Sequence, residues 1–330
     1  PTTKCVWNWH IDAICDHLEA VIRGDIRNLL INIPPRHTKS LTVSVCWPAH
    51  TWTDLPAFRF LSGAYAQHLS IRDALKSRRL IESSWYQEQW GVRFQLTSDQ
   101  NQKMRYENDK TGHRITTYVG GSTGEGGDCL LLDDPHNIEE KDSEIIRQGV
   151  LDWYDQVWIN RLNDPKTGRK VTIMQRVHEK DLAGHILEAG SCVHLSLPVE
   201  FERDRKCMTV IGFEDPRTKP GELICPERMG QEEVDVQKVN ARSFAGLYQQ
   251  RPTSLGGVIF KRHWWRFWYL PDKPLDGVQI QLADGGIFTC PSEPLPKEFE
   301  EMLQSWDMTF KDTKQSDMVA GQVWGRKEAN

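Results

Sequence analysis

The chain has 330 residues, a formal net charge of −5 and 38% hydrophobic residues. This length provides for one large domain and part of another, and this hydrophobic content supplies a core, which excludes a disordered chain. No apolar run approaches the ~18 residues of a membrane-spanning helix, and the N-terminus lacks the basic-then-apolar pattern of a signal peptide. The negative net charge argues against a surface built throughout for DNA, so any nucleic-acid contact is expected to be local and salt-sensitive.

The eight cysteines are scattered, with no C-x-x-C pair and no zinc-ligand spacing. This usage is typical of reduced thiols in a cytosol and argues against a disulfide or zinc scaffold. Cys46 and Cys129 lie in apolar segments, and both are predicted to be core residues.

The start of the chain predicts a helix, a buried strand and a second helix. Apolar residues recur at helical spacing over residues 10–23, and Gly24 ends this helix. Residues 28–33 form a short apolar run typical of a buried strand, which ends at two prolines because proline cannot continue a central strand. A helix is expected to follow from Lys39, with Pro48 near its end.

Strands and helices alternate from there to about residue 200. Strands alternating with helices predict an α/β fold, with a mainly parallel sheet covered by helices on both faces. The predicted strands are 58–65, 115–119, 129–132, 170–174 and 193–197, and the predicted helices are 67–83, 144–162 and 182–189.

Beyond about residue 200 the sequence changes character. Charged and turn-rich stretches surround a predicted helix over residues 230–245, and a region rich in proline and glycine follows up to Pro296. Residues 303–307 and 319–324 are predicted to be two neighbouring strands. We therefore predict a core domain over 1–200, a helical and irregular subdomain with a linker over 201–255, and a linker with the start of a further domain over 256–330.

The segment from Leu30 to Ser40 has the order of a triphosphate-binding loop: a strand, a tight loop ending in Lys39-Ser40, and then a helix. In such a site the loop N–H groups face the phosphates, the lysine reaches the β- and γ-oxygens, and the serine hydroxyl holds Mg²⁺. The sequence departs from the standard pattern because Thr38 stands where a glycine normally precedes the lysine, and the first glycine is also absent. Taken alone, a Lys-Ser pair after a strand is more often a surface lysine at the start of a helix than a phosphate-binding lysine.

A second acidic segment strengthens the nucleotide-site hypothesis. Leu130-Leu131-Leu132 lead into Asp133 and Asp134, the form of a Walker B strand in which one carboxylate holds the Mg²⁺ shell and the next orients water. The alternative is a strand end with a capping aspartate. Together, in this order, the two segments favour a nucleotide triphosphatase. The glycine-rich stretch 120–128 is either a second phosphate-side loop or a surface turn.

At these segments the chain resembles the large terminase subunit of tailed bacteriophages and prophages. The resemblance covers nearly the whole chain in five ordered matches. The first match runs from Asn8 to Leu41 and includes Asn8-Trp9-His10 at its start and Ile33 to Leu41 at its end. The other four are Leu131 to His136, Met174 to Gly184, Tyr248 to Pro252, and Ser305 to Lys311 with Ser316-Asp317.

The resemblance implies a two-part machine. Its first part would be a P-loop ATPase of the ASCE/RecA-like fold, which uses ATP and Mg²⁺ to move viral double-stranded DNA into the procapsid. Its second part would be an RNase H-like endonuclease that cuts concatemeric DNA with Mg²⁺ or Mn²⁺. The implied partners are DNA, the portal protein, the terminase small subunit and further copies of this chain, which is expected to be a monomer in dilute solution and a pentameric ring on the portal. The implied location is the host bacterial cytoplasm, with transient docking on the procapsid.

The resemblance also implies roles for individual residues. The loop residues Pro35, Arg36, His37, Thr38, Lys39 and Ser40 would bind ATP, with Ser40 and Asp133 in the Mg²⁺ shell. Asp134 would stand in for the family's usual glutamate and polarise the attacking water. Arg36 would stabilise charge on the transferred phosphate, or else serve only as a structural arginine of the loop.

Four further positions are matched to ATP binding and two to the nuclease. Gln175 and Arg176 resemble the family's coupling segment, which senses the γ-phosphate. His10 and Trp9 lie where family members place adenine contacts, although a tryptophan before an amphipathic helix is more often a core residue. Asp307 and, less specifically, Asp317 would be the first nuclease metal ligands. The remaining acids would lie beyond residue 330, so this chain is expected to lack competent nuclease chemistry.

Several alternatives stay open at this point. A trans-acting arginine could be Arg105, Arg114 or Arg161, and DNA could be contacted by residues 76–79 or 261–266, although a solvated helix face and a domain interface are the more common roles of such stretches. Another P-loop DNA translocase or helicase is a competing function. The absent glycines motivate a third reading, a nucleotide-binding scaffold with an inactive site.

Overall fold

The computed structural model describes residues 6–121, 124–253, 266–281, 287–307 and 320–326. The chain divides into two compact units, residues 1–252 and residues 253–330. Each unit is described by itself. The predicted division near residue 200 stays a prediction.

The first unit alternates strands and helices, as predicted. Its strands are β1 (Asn28–Asn32), β2 (Phe60–Ala64), β3 (Leu96–Asn101), β4 (Arg105–Asn108), β5 (His113–Tyr118), β6 (Cys129–Asp133), β7 (Arg169–Met174) and β8 (Val193–Ser196). Its α-helices are α1 (Trp9–Arg23), α2 (Trp47–Asp54), α3 (Gln67–Ile81), α4 (Ser84–Trp90), α5 (Glu144–Trp153), α6 (Leu182–Glu188), α7 (Gln231–Lys238) and α8 (Ala241–Ser243). π-Helical turns form at Leu41–Cys46, Tyr154–Trp158 and Phe244–Tyr248, and 3₁₀ turns at Ile138–Glu140, Ile159–Arg161 and Arg203–Arg205.

All eight strands form one sheet in the order β3-β4-β5-β2-β6-β7-β1-β8. The strands from β5 to β8 in this order pair in parallel, whereas β3 and β4 pair antiparallel. The prediction of a mainly parallel sheet is thus confirmed. Strand β7 lies between β1, which precedes the predicted phosphate loop, and β6, which carries the predicted acids.

Alternating residues of the central strands face two separate cores. Leu29 and Ile31 of β1 pack into the core that also contains α1 residues, whereas Leu30 between them packs into the core that contains residues of α5 and α6. Because side chains alternate across a strand, a strand buried on both sides must be apolar at nearly every position. Burial of both faces of the central strands explains the short apolar runs in the sequence.

Helix α1 has the boundaries that its sequence predicts. The Asn8 side chain accepts a hydrogen bond from the Trp9 N–H (2.7 Å) at the start, as helix-capping asparagines do. Gly24 closes the helix in the left-handed conformation (φ 87°) that glycine adopts at little cost.

Other expectations were wrong. The sequence analysis did not predict β3 and β4, whose polar residues carry no strong alternating pattern. Pro48 does not end a helix: it lies in the first turn of α2, where its missing N–H costs no hydrogen bond. Cys46 is exposed, because the π-helical turn before α2 directs it outward, whereas Cys129 is buried as expected. The helices predicted over 144–162 and 230–245 are each interrupted by π-helical or 3₁₀ turns.

A buried ion pair organises the chain after β8. The Arg217 guanidinium donates to both carboxylate oxygens of Asp215 (3.0 and 2.8 Å) and to the carbonyls of Pro198, Val199 and Glu222. Both side chains are almost completely buried. Full hydrogen bonding of a buried charge is what makes its burial tolerable, so this arginine holds residues 198–222 together.

The second unit contains short strands in place of the irregular connection predicted up to Pro296. These are β9 (Phe267–Tyr269), β10 (Val278–Gln281), β11 (Ile287–Cys290) and β12 (Ser292–Pro294). Strands β13 (Glu301–Asp307) and β14 (Ala320–Arg326) pair antiparallel, with Asp307 opposite Ala320. The two neighbouring strands predicted at the end of the sequence are therefore confirmed.

Among the described helices, none has both the length and the apolar character that crossing a membrane demands.

His136, which follows β6, makes the stability of the folded chain depend on pH. Its ring is buried, and its Nε2 accepts a hydrogen bond from the Leu182 N–H (2.8 Å). Burial lowers the pKa of His136 to about 4, and Arg147 lowers it further, against the opposing effect of Asp181. The folded state thus binds fewer protons than the unfolded state between pH 6.5 and 4, so this contribution to stability is complete above pH 6.5 and falls as the pH drops.

We predict that the free energy of unfolding decreases from pH 7 to pH 5, and that His136→Asn reduces this decrease by about 2 kcal/mol because asparagine does not titrate. Urea unfolding followed by circular dichroism at the two pH values measures the effect. His68→Asn is the control, since His68 is exposed. An identical pH dependence in the His136→Asn and native chains would contradict the prediction.

Candidate nucleotide-binding site

The loop after β1 contains two non-glycine residues in the left-handed conformation. Arg36 has φ 64° and Thr38 has φ 62°, both in the left-handed region that glycine normally supplies. The Thr38 carbonyl accepts a hydrogen bond from the Thr42 N–H (2.9 Å), which starts the helical segment after the loop. Each left-handed non-glycine residue costs on the order of 1–3 kcal/mol, so the surrounding contacts must enforce this conformation.

Lys39, Asp134 and Gln175 converge at one end of the sheet, and we call them the Lys39 cluster. The Lys39 Nζ lies 2.5 Å from Asp134 Oδ2 and donates to Gln175 Oε1 at 2.6 Å. The three residues follow the adjacent strands β1, β6 and β7, whose carboxyl ends meet at the same edge because the strands are parallel. The Lys39 side chain is only 8% exposed and that of Asp134 only 23%, so their ion pair is largely shielded from water.

Asp134 is fixed by its backbone as well as by its side chain. Its N–H donates to the Ile173 carbonyl (2.9 Å), and its carbonyl accepts from the Tyr65 N–H (3.1 Å). Its other carboxylate oxygen, Oδ1, accepts from the Gln175 N–H (3.3 Å). Asp134 has φ 42°, a conformation that aspartate tolerates better than most residues.

Asp133 has the features of a Mg²⁺ ligand. Its Oδ2 accepts a hydrogen bond from Ser44 Oγ (2.7 Å), whereas its buried Oδ1 has no hydrogen-bond partner in the described part of the chain. Burial raises the pKa of Asp133 to about 6, with a further increase from Asp134, and Lys39, Ser44 and Ser40 oppose it. A buried carboxylate oxygen without a partner, beside two serine hydroxyls, fits an ion that takes one or two carboxylates and leaves its other positions to water and phosphate.

An all-protein metal cage is absent from the described residues: no three His, Cys, Asp or Glu side chains there are grouped to hold an ion. The donor set around Asp133 is instead the sparse one expected for a nucleotide-bound Mg²⁺. Ser44, which the sequence analysis did not single out, follows Ser40 by four residues, and this helical spacing places both hydroxyls on one side.

Arg36 points its side chain into solvent, and its carbonyl is engaged instead. The Arg228 Nε donates to this carbonyl. The catalytic role predicted for Arg36 stays a prediction.

His10 and His37 pack edge to face behind the loop, with ring centroids 5.9 Å apart. The His37 Nδ1 is 2.9 Å from the Pro35 carbonyl. His10 is 0% exposed, and neither of its ring nitrogens has a partner within the described residues. Burial, followed by the charge of His37, lowers the pKa of His10 to about 4. An adenine contact at His10 therefore requires its surroundings to open.

Trp9 is packed against two residues of the segment that follows β8. It stacks on Phe213 with ring centroids 6.4 Å apart, and the Arg217 guanidinium lies 5.2 Å from the centre of its ring. These contacts favour the packing role over the adenine contact for Trp9.

Gln175 and Arg176 are adjacent in sequence but have different partners. Gln175 belongs to the Lys39 cluster, whereas the Arg176 guanidinium donates to Asp181 (2.9 and 3.1 Å) and to the carbonyls of His178 and Glu179. Asp181 is 0% exposed and also caps α6 through the Gly184 N–H. Arg176 thus braces the loop after β7, and only Gln175 contacts the candidate phosphate-binding lysine.

The arginines considered for a trans-acting role differ in accessibility. Arg105 is engaged by Glu107 (2.5 Å) and Glu125 (2.6 Å). Arg114 is 1% exposed, so in this conformation it cannot extend toward a neighbouring chain. Arg161 is half-buried.

The glycine-rich stretch and the first basic stretch both have local partners. The Gly121 carbonyl accepts from Trp153 Nε1 (2.9 Å), while residues 122 and 123 lie outside the described residues. Arg78 lies 3.6 Å from Glu82 along α3, which favours the solvated-face interpretation of residues 76–79.

The predicted nuclease positions are described only in part. Asp307 is the last residue of β13, where its backbone is placed. Asp317 and residues 261–265 of the second basic stretch lie outside the described residues. Arg266, the last residue of that stretch, lies 3.2 Å from Glu293.

Comparison with solved structures finds bacteriophage proteins. The chain is similar to the large terminase of a thermophilic bacteriophage, with a TM-score of 0.43 and 9% identity, covering 94% of this chain and 64% of that chain. It is similar to the ATPase domain of the large terminase of Thermus phage P74-26 (TM-score 0.45, 11% identity, 72% of this chain and 93% of that one). It is also similar to the large terminase of bacteriophage HK97 (TM-score 0.37, 12% identity, 57% of this chain and 39% of that one). All three are large terminases.

No protein-family model matches the chain, and no curated protein does. The chain spans 64% of the length of the terminase from the thermophilic bacteriophage.

We predict that Asp181→Ala lowers the free energy of unfolding by about 3–5 kcal/mol, because it leaves the buried Arg176 charge without its carboxylate. Asp99→Ala, at an exposed position, should leave it unchanged. Urea unfolding curves of the three proteins measure the difference. Equal stability of the Asp181→Ala and native chains would show that Arg176 has no bracing role.

Proposed function

We propose that this chain is the ATP-hydrolysing motor of a phage DNA-packaging terminase large subunit. The observation that carries the proposal is the Lys39 cluster, in which a nearly buried lysine from a left-handed loop meets a carboxylate and an amide from two neighbouring strands. Beside it lies Asp133, with one buried carboxylate oxygen that no side chain or backbone group in the described residues engages. These are the parts that phosphoryl transfer requires: a phosphate-binding cation, a Mg²⁺ ligand and an acid for water.

In the proposed mechanism, the loop N–H groups and Lys39 bind the phosphates of ATP. Ser40 and Asp133 would hold Mg²⁺, which would supply positive charge to the phosphates. Asp134 would accept a hydrogen bond from the attacking water and orient it toward the γ-phosphate. Gln175, at the end of the intervening strand, would report the presence of that phosphate to the loop that Arg176 braces.

The Lys39–Asp134 ion pair makes this mechanism sequential. With Asp134 Oδ2 at 2.5 Å, the lysine is engaged by the same carboxylate that is proposed to orient water. An incoming phosphate would have to displace Asp134 from Lys39, and the displacement would release the carboxylate for its role. Hydrolytic competence would thus follow nucleotide binding and would not precede it.

The wider function extends the resemblance seen in the sequence. We propose that the motor moves viral double-stranded DNA into a procapsid, as a pentameric ring on the portal protein, with the small subunit, in the host bacterial cytoplasm. A nuclease reaction of the full-length terminase subunit, with Mg²⁺ or Mn²⁺ and with Asp307 and Asp317 among its metal ligands, belongs to the same proposal. The alternative of an inactive nucleotide-binding scaffold rested on the absent glycines, and the left-handed backbone at Arg36 and Thr38 weighs against it.

We predict that Lys39→Ala lowers ATP turnover at least about 100-fold, as the loss of a preorganised cation does. Asp134→Asn should lower turnover by a similar factor of about 100 because it removes a water-orienting acid. The Asp134→Asn chain should bind nucleotide at least as tightly as the native chain, because the incoming phosphate no longer has to displace a carboxylate from Lys39. Turnover is measured by phosphate release with and without duplex DNA, and binding by titration with a fluorescent ATP analogue.

Lys103→Ala is the matched control, since Lys103 is exposed on the strand connection between β3 and β4. It should leave both measurements unchanged. Native turnover that Lys39→Ala does not reduce would overturn the assignment of the loop. Weaker nucleotide binding in Asp134→Asn would overturn the proposed competition between carboxylate and phosphate.

Asp133→Asn is predicted to raise the Mg²⁺ concentration needed for half-maximal turnover by about tenfold or more, because it removes one unit of negative charge from the ion's only proposed carboxylate. A Mg²⁺ titration at saturating ATP measures the shift. Asp99→Ala serves as the control, and an unchanged Mg²⁺ requirement in Asp133→Asn would remove Asp133 from the metal site.

A further inference from the structure

Arg228 connects the segment after β8 to the phosphate loop. Its Nε donates a hydrogen bond to the carbonyl of Arg36, a residue 192 positions earlier in the chain. The segment around it has no phosphate-binding motif in the sequence, and neither the loop pattern nor the acidic strand pointed to it. It is nevertheless a cation in direct contact with the backbone of the loop.

The backbone that carries Arg228 is held in place by buried neighbours and hydrogen bonds. Ile224 and Cys225, just before it, are fully buried, and the Arg228 N–H donates to the Cys225 carbonyl (3.1 Å). The neighbouring Glu227 accepts a hydrogen bond from the side chain of Asn8 (3.4 Å), the residue that caps α1. The Arg228 side chain therefore extends from a turn whose backbone is held by hydrogen bonds.

Besides burial, the charge of Arg228 lowers the pKa values of two histidines in and behind the loop. Burial is the main cause of the lowered pKa values of His10 and His37, and Arg228 contributes to the decrease at both rings. Arg228 thus acts on the loop residue His37 and on the histidine packed behind it, as well as on the Arg36 carbonyl.

The hydrogen bond constrains the orientation of one peptide group. In a planar trans peptide, the carbonyl of Arg36 and the N–H of His37 point in opposite directions. Holding the carbonyl toward Arg228 therefore fixes the direction of the following N–H. A hydrogen bond from a charged donor is stronger than one from a neutral donor, so it can offset part of the cost of the left-handed φ at Arg36.

We propose that Arg228 is a positioning residue for the phosphate loop and takes over part of the task that glycines perform elsewhere. It holds the Arg36 peptide in its left-handed conformation, so that the loop is already shaped for a triphosphate before one binds. This inference rests on the proposed nucleotide site and deepens it. It assigns no contact between Arg228 and the reacting atoms.

Two measurements on the full chain test the proposal. Hydrogen–deuterium exchange without nucleotide is followed in the peptide that covers residues 34–40, and affinity is measured with the fluorescent ATP analogue. The variants are Arg228→Ala and Arg228→Lys, with Arg203→Ala as an exposed arginine control from the same segment and Lys39→Ala as the reference for loss of phosphate binding.

We expect Arg228→Ala to speed exchange in the loop and to weaken ATP-analogue binding about tenfold, the equivalent of one charge-assisted hydrogen bond. Arg228→Lys, which keeps a charged donor, should recover part of the affinity. Arg228→Ala should lower kcat at saturating ATP by a smaller factor than it lowers the affinity for the ATP analogue. The reason is that Arg228 is proposed to shape the loop and not to contact the γ-phosphate.

Unchanged loop exchange in Arg228→Ala would overturn the proposal whatever happens to ATP binding. So would an affinity loss equal to that of Arg203→Ala, which would reflect net charge alone. If the native chain and Lys39→Ala both fail to bind nucleotide, the proposed function fails, and loop exchange still decides whether Arg228 holds the loop.

Discussion

The ion pair between Lys39 and Asp134 is the contact on which the rest of the site depends. Burying a lysine ammonium group costs free energy unless a carboxylate pairs with it, and the carboxylate that pairs with Lys39 follows a strand two positions away in the sheet. Only the parallel order β6-β7-β1 brings these strand ends to one edge. The fold therefore positions the site through a single constraint: three neighbouring strands must end level with one another, with Gln175 following the middle strand β7.

A loop without glycine can hold this lysine only if its neighbours compensate for backbone strain. Arg36 and Thr38 both have positive φ, which ordinary residues avoid. The Arg36 carbonyl receives a charged hydrogen bond from Arg228, and the Thr38 carbonyl receives the first N–H of the following helical segment. The strain is thus offset at the two carbonyls where it arises. Such compensation comes from distant parts of the chain, which explains why a motif judged by its glycines alone looks defective here.

The sequence predicts what local patterns encode, and it fails where partners are remote. The buried strands β1 and β6 and the helix α1 follow from apolar runs and capping residues that need no tertiary information. Strands β3 and β4 are polar, so their pairing at the sheet edge leaves no local signature. Gln175 and Arg176 look equivalent in sequence, yet adjacent residues at a strand end face opposite sides, and one joins the phosphate site while the other joins Asp181. Nothing near Arg228 in the sequence indicates the peptide it contacts.

The aspartate at position 134, where the resembling family usually has glutamate, follows from the same backbone logic. The position requires a left-handed φ together with a carboxylate, and aspartate is among the few residues that tolerate this conformation. Its N–H and carbonyl are both bound to neighbouring strands, so the backbone cannot relax to suit a longer side chain. The Asp134 side chain ends at Lys39 and pairs with its ammonium group. In the proposed mechanism this places the carboxylate where a phosphate would bind, so a single side chain would serve first as the partner of the lysine and then as the acid that orients water.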